Sequence, residues 1–214
     1  MIKSRVILSG LIMVSSLGLV SACDHKLVPI TAIFMLDTSA SSAEYRRAAA
    51  WSVGKIADQL QHSIDRVVLY RVNNKVHNLY TGEPLRKGLR TVLNAYMDSP
   101  QDAAGTAYGT ALQRGLDEAK SAASRGHRVG LFILGDGADE RVKDGGNINQ
   151  ALLKKVADEF PREGVMAFMY VDPANGDPIY AKLSPVMGAR FKSLTPANSQ
   201  DPKVIQEIMM HLGR

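Results

Sequence analysis

Ile30-Thr31-Ala32-Ile33-Phe34-Met35-Leu36-Asp37-Thr38-Ser39-Ala40-Ser41 is the stretch that decides the fold class. Its first seven residues are apolar apart from one Thr, the composition of a strand buried on both faces, and a parallel sheet covered by helices provides such a place. The apolar run stops at Asp37. A carboxylate followed by hydroxyls at Ser39 and Ser41 then leads into a helical pattern.

Outward from this stretch, strand patterns and helical periodicity alternate. A helix is predicted from about Ser42 to Gln61, with Tyr45, Ala49, Val53, Ile56 and Leu60 on one face. Two strands, 66–72 and 75–80, flank Asn73-Asn74, a hairpin turn because Asn tolerates positive φ. Helices over 84–96 and 107–123 precede a strand at 129–134. A helix at 149–160, a strand at 165–171, a helix at 179–187, a short strand near Arg190-Phe191 and a helix at 202–212 complete the pattern. This order predicts an α/β fold: a doubly wound, mainly parallel sheet with one antiparallel edge strand and helices on both faces. It forms one domain over 30–214, because no low-complexity linker, charge block or repeat divides the chain.

In such sheets ligands bind beyond the carboxyl ends of the strands. Three segments distant in sequence meet there. Asp37, Ser39 and Ser41 follow the first strand, Gly105-Thr106 opens the helix at 107–123, and Gly135-Asp136-Gly137 follows the fourth strand. All the donors are oxygens. That set suits a hard cation, Mg²⁺ first, with Mn²⁺ or Ca²⁺ as alternatives, and disfavours zinc, which takes His and Cys. Hydroxyls are neutral, so an ion held by them keeps charge for an outside carboxylate. Taken alone, Asp37, Ser39 and Ser41 also read as turn and cap chemistry after a strand.

Asp-x-Ser-x-Ser at 37–41, Gly-Thr at 105–106 and Leu-Gly-Asp-Gly at 134–137 resemble the metal-ion-dependent adhesion site of von Willebrand factor type A domains. The resemblance extends over the whole segment 30–214, because the order of strands, hairpin and helices fits that Rossmann-like family too. It implies that Ser39, Ser41 and Thr106 coordinate the ion directly, and that Asp37 and Asp136 act directly or through water. It also implies a protein partner that supplies an Asp or Glu to the ion. The chain departs from the family pattern at Ala104, where many members have Gly, and at Gly135, where Thr is frequent. Thr110 is a rival to Thr106 but lies a turn further into the helix.

The N-terminus reads as a secretory leader: Lys3 and Arg5 precede an apolar run from Val6 to Val20, too short to span a bilayer, followed by small residues. Val20-Ser21-Ala22-Cys23 resembles a bacterial lipobox, which implies a signal peptide over 1–22, a lipidated Cys23 and a short tether to residue 29. Cys23 is the sole cysteine, so no intramolecular disulfide forms. Asp24 resembles the inner-membrane retention signal of Gram-negative lipoproteins, which implies a domain facing the periplasm. The tether reaches only about 20 Å, which keeps the domain near the membrane.

The net charge of +5 falls to +3 when Lys3 and Arg5 are removed with the leader, and no basic stripe interleaves with aromatics, so no nucleic-acid partner is expected. Asp139, Glu140 and Asp144 read as a solvated loop, and Asp172 to Asp177 as a turn without the terminal Glu of a calcium loop. Trp51 falls opposite the apolar stripe of its helix, where it either packs against a neighbouring helix or contacts a partner. No enzyme is expected: the sequence has no Gly-x-Ser-x-Gly elbow and no phosphate-binding Lys loop, and Ser39 stands where a haloacid-dehalogenase-type phosphohydrolase would present a second carboxylate. The leading expectation is a membrane-anchored, metal-dependent protein-binding module of the cell envelope. A metal-independent scaffold for envelope assembly, secretion or conjugation is its alternative.

Overall fold

The computed structural model describes residues 27–61, 63–84, 87–100, 105–137, 148–174 and 179–214. The leader, Cys23, Asp24, Ala104, Asp139, Glu140, Asp144 and the later part of the Asp172 to Asp177 turn lie outside the described residues.

Six strands form one sheet in the order β3-β2-β1-β4-β5-β6. They are β1 Ile30–Asp37, β2 Arg66–Val72, β3 Val76–Gly82, β4 Arg128–Leu134, β5 Val165–Met169 and β6 Phe191–Leu194. All pairings are parallel except β2 with β3, the hairpin at one edge. The sheet is therefore the expected mainly parallel one with a single antiparallel edge strand. Every residue of β1 is buried, as a central strand covered on both faces requires.

The helices are α1 Arg46–Ala57, α2 Lys87–Met97, α3 Tyr108–Ser124, α4 Gln150–Glu159, α5 Ile179–Met187, α6 Pro196–Ser199 and α7 Pro202–His211. Two core layers sandwich the sheet. One joins Ile30, Phe34 and Leu36 to Val53 and Ile56 of α1, Leu89 and Leu93 of α2 and Ile208 of α7. The other joins Ile33 and Met35 to Leu112 and Leu116 of α3, Val156 of α4 and Leu183 of α5. Alternate residues of β1 thus face opposite layers, the period of two that a strand imposes. Every strand and both layers lie within residues 27–214. Among the described residues no helix is long and apolar enough to cross a membrane.

Of the element boundaries that differ from the sequence reading, two lie beside the candidate site. The helix expected from Ser42 is a 3-10 turn, Ser41–Glu44, followed by α1 from Arg46, with Tyr45 at the break (φ −111°, ψ 0°). The Ser42 hydroxyl donates to the Ser39 carbonyl (2.7 Å), which tightens this turn. The strand expected to reach Val171 stops at Met169 because Tyr170 turns into the left-handed region (φ +68°), a strained conformation for a bulky residue. Short α6 was not anticipated.

Candidate functional site

The three segments singled out in the sequence meet at the carboxyl ends of β1 and β4. Asp37 ends β1 and is 1% exposed. Its Oδ1 accepts from the Ser39 amide (2.8 Å) and the Thr106 hydroxyl (2.9 Å). Its Oδ2 accepts from the hydroxyls of Ser39 (3.1 Å), Tyr45 (3.1 Å) and Tyr108 (2.9 Å). Ser41 extends the cluster outward, with its Oγ 3.0 Å from that of Ser39. Ser39 and Thr106 are buried and Ser41 is exposed, so the hydroxyl row runs from the interior to the surface. Asp136, half-buried, faces the same cluster: the Tyr108 hydroxyl lies 3.4 Å from its Oδ1. Thr110 is exposed on α3 and has no part in this network.

The loops are tied from behind. The Tyr96 hydroxyl, from α2, donates to the Asp37 carbonyl (3.0 Å), and the Ala107 amide donates to Asn73 of the β2–β3 turn (2.8 Å). Arg46 is buried and donates to the carbonyls of Thr38 (2.8 Å), Ser39 (3.2 Å) and Ser99. Its guanidinium closes the loop around the carbonyls that strand termination leaves without partners. Gly105 has φ +79°, a turn that L side chains rarely adopt, and this turn directs Thr106 to Asp37.

Tyr45, Arg46, Tyr96 and Tyr108 were not among the site residues read from the sequence. Tyr45 falls on the apolar stripe of its predicted helix and Tyr96 at the end of the helix predicted over 84–96, positions at which an aromatic ring reads as packing. The usable signal was the pairing of Tyr108 with Gly135. A Cβ on Gly135 would lie 2.1 Å from the Tyr108 hydroxyl, so the loss of a side chain at 135 makes room for a tyrosine from α3. That hydroxyl then reaches both carboxylates, and the Tyr45 hydroxyl also bridges the two loops by accepting from the Asp136 amide (3.1 Å). Behind Tyr45, the ring of Tyr170 stacks at 5.3 Å. The left-handed turn of Tyr170 is held by Ser199, whose hydroxyl accepts from its amide (3.0 Å), and by Ser52 on its own hydroxyl (2.7 Å).

Burial raises the pKa of Asp37 above the ordinary carboxylate value, and hydrogen bonds from the Ser39 amide, Thr106 and Tyr108 oppose that rise. The neighbouring charge of Asp136 adds to it. Burial first, and then the Asp37 charge, push Tyr45 and Tyr108 well above the usual phenol value. Both therefore remain protonated and act as donors.

The residues present fit a hard cation. Ser39 and Thr106 direct their protons to Asp37, which leaves oxygen lone pairs available, and Ser41 continues the row at the surface. Among the described residues no three His, Cys, Asp or Glu side chains cluster as a metal site. The cluster at β1 is instead built on hydroxyls with two carboxylates.

Trp51 is 39% exposed, with Lys55 above its ring at 5.7 Å. It does not pack fully against α2. It lines a hollow of about 330 Å³ together with Arg47, Arg90 and Leu93.

This fold is that of von Willebrand factor type A domains. A von Willebrand factor type A structure from Catenulispora acidiphila matches 87% of the chain at 14% identity with a TM-score of 0.59. The pilus adhesin SpaC of Lactobacillus rhamnosus GG matches 87% at 13% identity and 0.64. Proximal thread matrix protein 1 of the mussel byssus, in a structure with a zinc-occupied metal-ion-dependent adhesion site, matches 86% at 12% identity and 0.59. The chain spans 43%, 30% and 48% of those three chains, respectively. No protein-family model matches the sequence. The search of curated proteins also gives no match.

Proposed function

We propose that the chain is a divalent-ion-dependent protein-binding module, anchored in the cell envelope through lipidated Cys23, that recruits a partner through an Asp or Glu side chain. The observation that carries this reading is the row of Ser39, Ser41 and Thr106 hydroxyls gathered on Asp37 at the end of β1, with Asp136 facing it. Ser39, Ser41 and Thr106 would hold Mg²⁺, with Mn²⁺ or Ca²⁺ as alternatives, and Asp37 and Asp136 would support it directly or through water. When bound, the ion supplies positive charge that neutral hydroxyls do not cancel, and a partner carboxylate answers it. The SpaC adhesin, with the same fold, supports an adhesive role. The lipobox-like Val20-Ser21-Ala22-Cys23 and the Asp at position 24 support placement on the periplasmic side of an inner membrane. The test is capture of envelope proteins by the wild-type chain and by Asp37→Ala, with and without chelator. Capture lost in the variant and in chelator supports the reading, and capture unchanged in both refutes it.

One observation favours a second reading, a metal-independent assembly scaffold. Asp37 already accepts five hydrogen bonds from protein donors, so its charge is solvated by the chain itself. Capture that survives both chelator and Asp37→Ala would select this scaffold.

A further inference from the structure

We propose that the end of the sheet opposite the candidate site is a docking face for an anionic phospholipid surface. The five parallel strands all begin at that end, and β3 finishes there, so the loops between helices and strand starts form a continuous base. Two ion pairs lie in it: Arg214 with Asp65, and Arg128 with Glu163 at 3.3 Å. Beyond them the base holds Arg66, Lys87, Arg125, Arg162 and Arg190, against Asp58 and Glu83.

Arg66 is the most informative of these. Its Nε is buried with no hydrogen-bond partner, at the wall of a hollow of about 600 Å³ shared with Ser63, Thr81 and His127 and with the carboxylates of Glu83 and of Asp65, the latter held by Arg214. A desolvated guanidinium N–H without an acceptor costs stability, and an oxyanion of phosphate geometry satisfies it. His127 also lines a neighbouring hollow of about 300 Å³ with Val28 and Arg162.

Apolar residues lie among these cations. Leu27 and Val28, 46% and 38% exposed, are two of the four exposed large hydrophobic side chains among the described residues. Arg214 fixes them at the base by donating to the Val28 carbonyl (3.3 Å). Exposed aliphatic side chains within a cationic surround suit the boundary between headgroups and acyl chains. A nucleic acid would gain from exposed aromatic stacking platforms, whereas the tyrosine lining this hollow, Tyr80, is half-buried with its hydroxyl donating to the Glu83 carbonyl (2.7 Å), and the exposed large hydrophobic side chains here, Leu27 and Val28, are aliphatic. Docking by this face turns Asp37 and the hydroxyl row away from the bilayer. The inference depends neither on an ion at the site nor on acylation of Cys23.

The test uses the fragment 27–214, which contains every strand and both core layers, in co-sedimentation with vesicles. Binding to phosphatidylglycerol vesicles, weak binding to phosphatidylcholine vesicles and release by salt are expected. Near an anionic surface each basic residue is worth roughly fivefold in affinity. Arg125→Glu with Arg162→Glu is therefore expected to weaken binding at least about tenfold, whereas Arg47→Glu with Arg90→Glu, on the α1–α2 side, leaves it within about twofold. Arg66→Gln, which removes the unpartnered N–H, is expected to weaken binding without lowering the thermal midpoint. Equal binding to both vesicle types, or equal losses from the two double substitutions, would overturn the proposal. So would tighter binding to duplex DNA than to vesicles, or binding of inorganic phosphate at Arg66 without vesicle binding.

Discussion

Tyr108 and Gly135 illustrate how one residue dictates another across the site. The Tyr108 hydroxyl bridges Asp37 and Asp136 only because position 135 has no side chain. Gly135→Ala is expected to destabilise the protein by about 1–3 kcal/mol, the usual range for overpacking. Tyr108→Phe removes a donor from a buried carboxylate and is expected to cost a similar amount. Combined, the two should cost less than their sum, because removing the hydroxyl relieves the clash; a double-mutant cycle by chemical denaturation measures this coupling. Asp37 gives a pH-dependent expectation. Its folded pKa is raised, so the folded chain holds this proton more tightly than the unfolded chain. Stability is therefore fully present below the ordinary carboxylate value and is lost as pH rises through the raised one. In metal-free protein, Asp37→Asn is expected to flatten that pH dependence, as followed by thermal denaturation. The residue types of the site were legible, because a carboxylate and hydroxyls at fixed spacing after an apolar run name themselves. The tyrosines were not, because an aromatic ring on an amphipathic stripe has the same signature whether its hydroxyl is idle or bonded.

At the scale of elements, the break between the 3-10 turn and α1 is what turns Tyr45 into the site. Helical periodicity runs unbroken through Ser42 to Gln61, so sequence alone predicts one helix. The break depends on long-range bonds that no local pattern carries: Arg46 reaches Ser99, 53 positions away, as well as Thr38 and Ser39. Arg46→Ala leaves buried carbonyls without donors and is expected to cost about 2–4 kcal/mol, since each such group is worth about 1–3 kcal/mol. Urea denaturation reads that loss, and amide exchange should show it concentrated in residues 38–46. The end of β5 follows the same logic. Apolar residues continue through Val171, and only the packing of Tyr170 on Tyr45 and its bond to Ser199 show why the strand ends early.

For the whole molecule, the alternation of buried strands and amphipathic helices was enough to read the doubly wound sheet, since the apolar runs of β1, β2, β4 and β5 are nearly continuous, and Asn73-Asn74 marked the turn to the antiparallel edge. What could not be read is how Arg214 reaches the start of β1. Arg214 donates to both oxygens of Asp65 (2.6 and 2.9 Å), while Asp65 accepts from the amides of Ile30 and Gln61 (both 2.7 Å). This clamp joins Arg214, the start of β1 and the α1–β2 loop, over a separation of 149 positions. Arg214→Ala leaves a buried carboxylate without its cation and is expected to cost about 3–5 kcal/mol. At roughly 2–4 °C per kcal/mol for a chain of this size, calorimetric melting should register a drop near 10 °C. The clamp lies at the end of the sheet away from Asp37, so ion binding should persist in that variant.

The most direct measurement is titration of Mg²⁺ and Mn²⁺ into residues 27–214 by isothermal calorimetry, alone and with an acidic peptide, alongside folded Asp37→Ala and Thr106→Ala. The account expects one ion per chain for the wild type, tighter in the presence of the acidic peptide, and loss of binding in both variants. Binding that is unchanged in the variants, or a folded wild type that takes up neither ion even with the peptide, would contradict it.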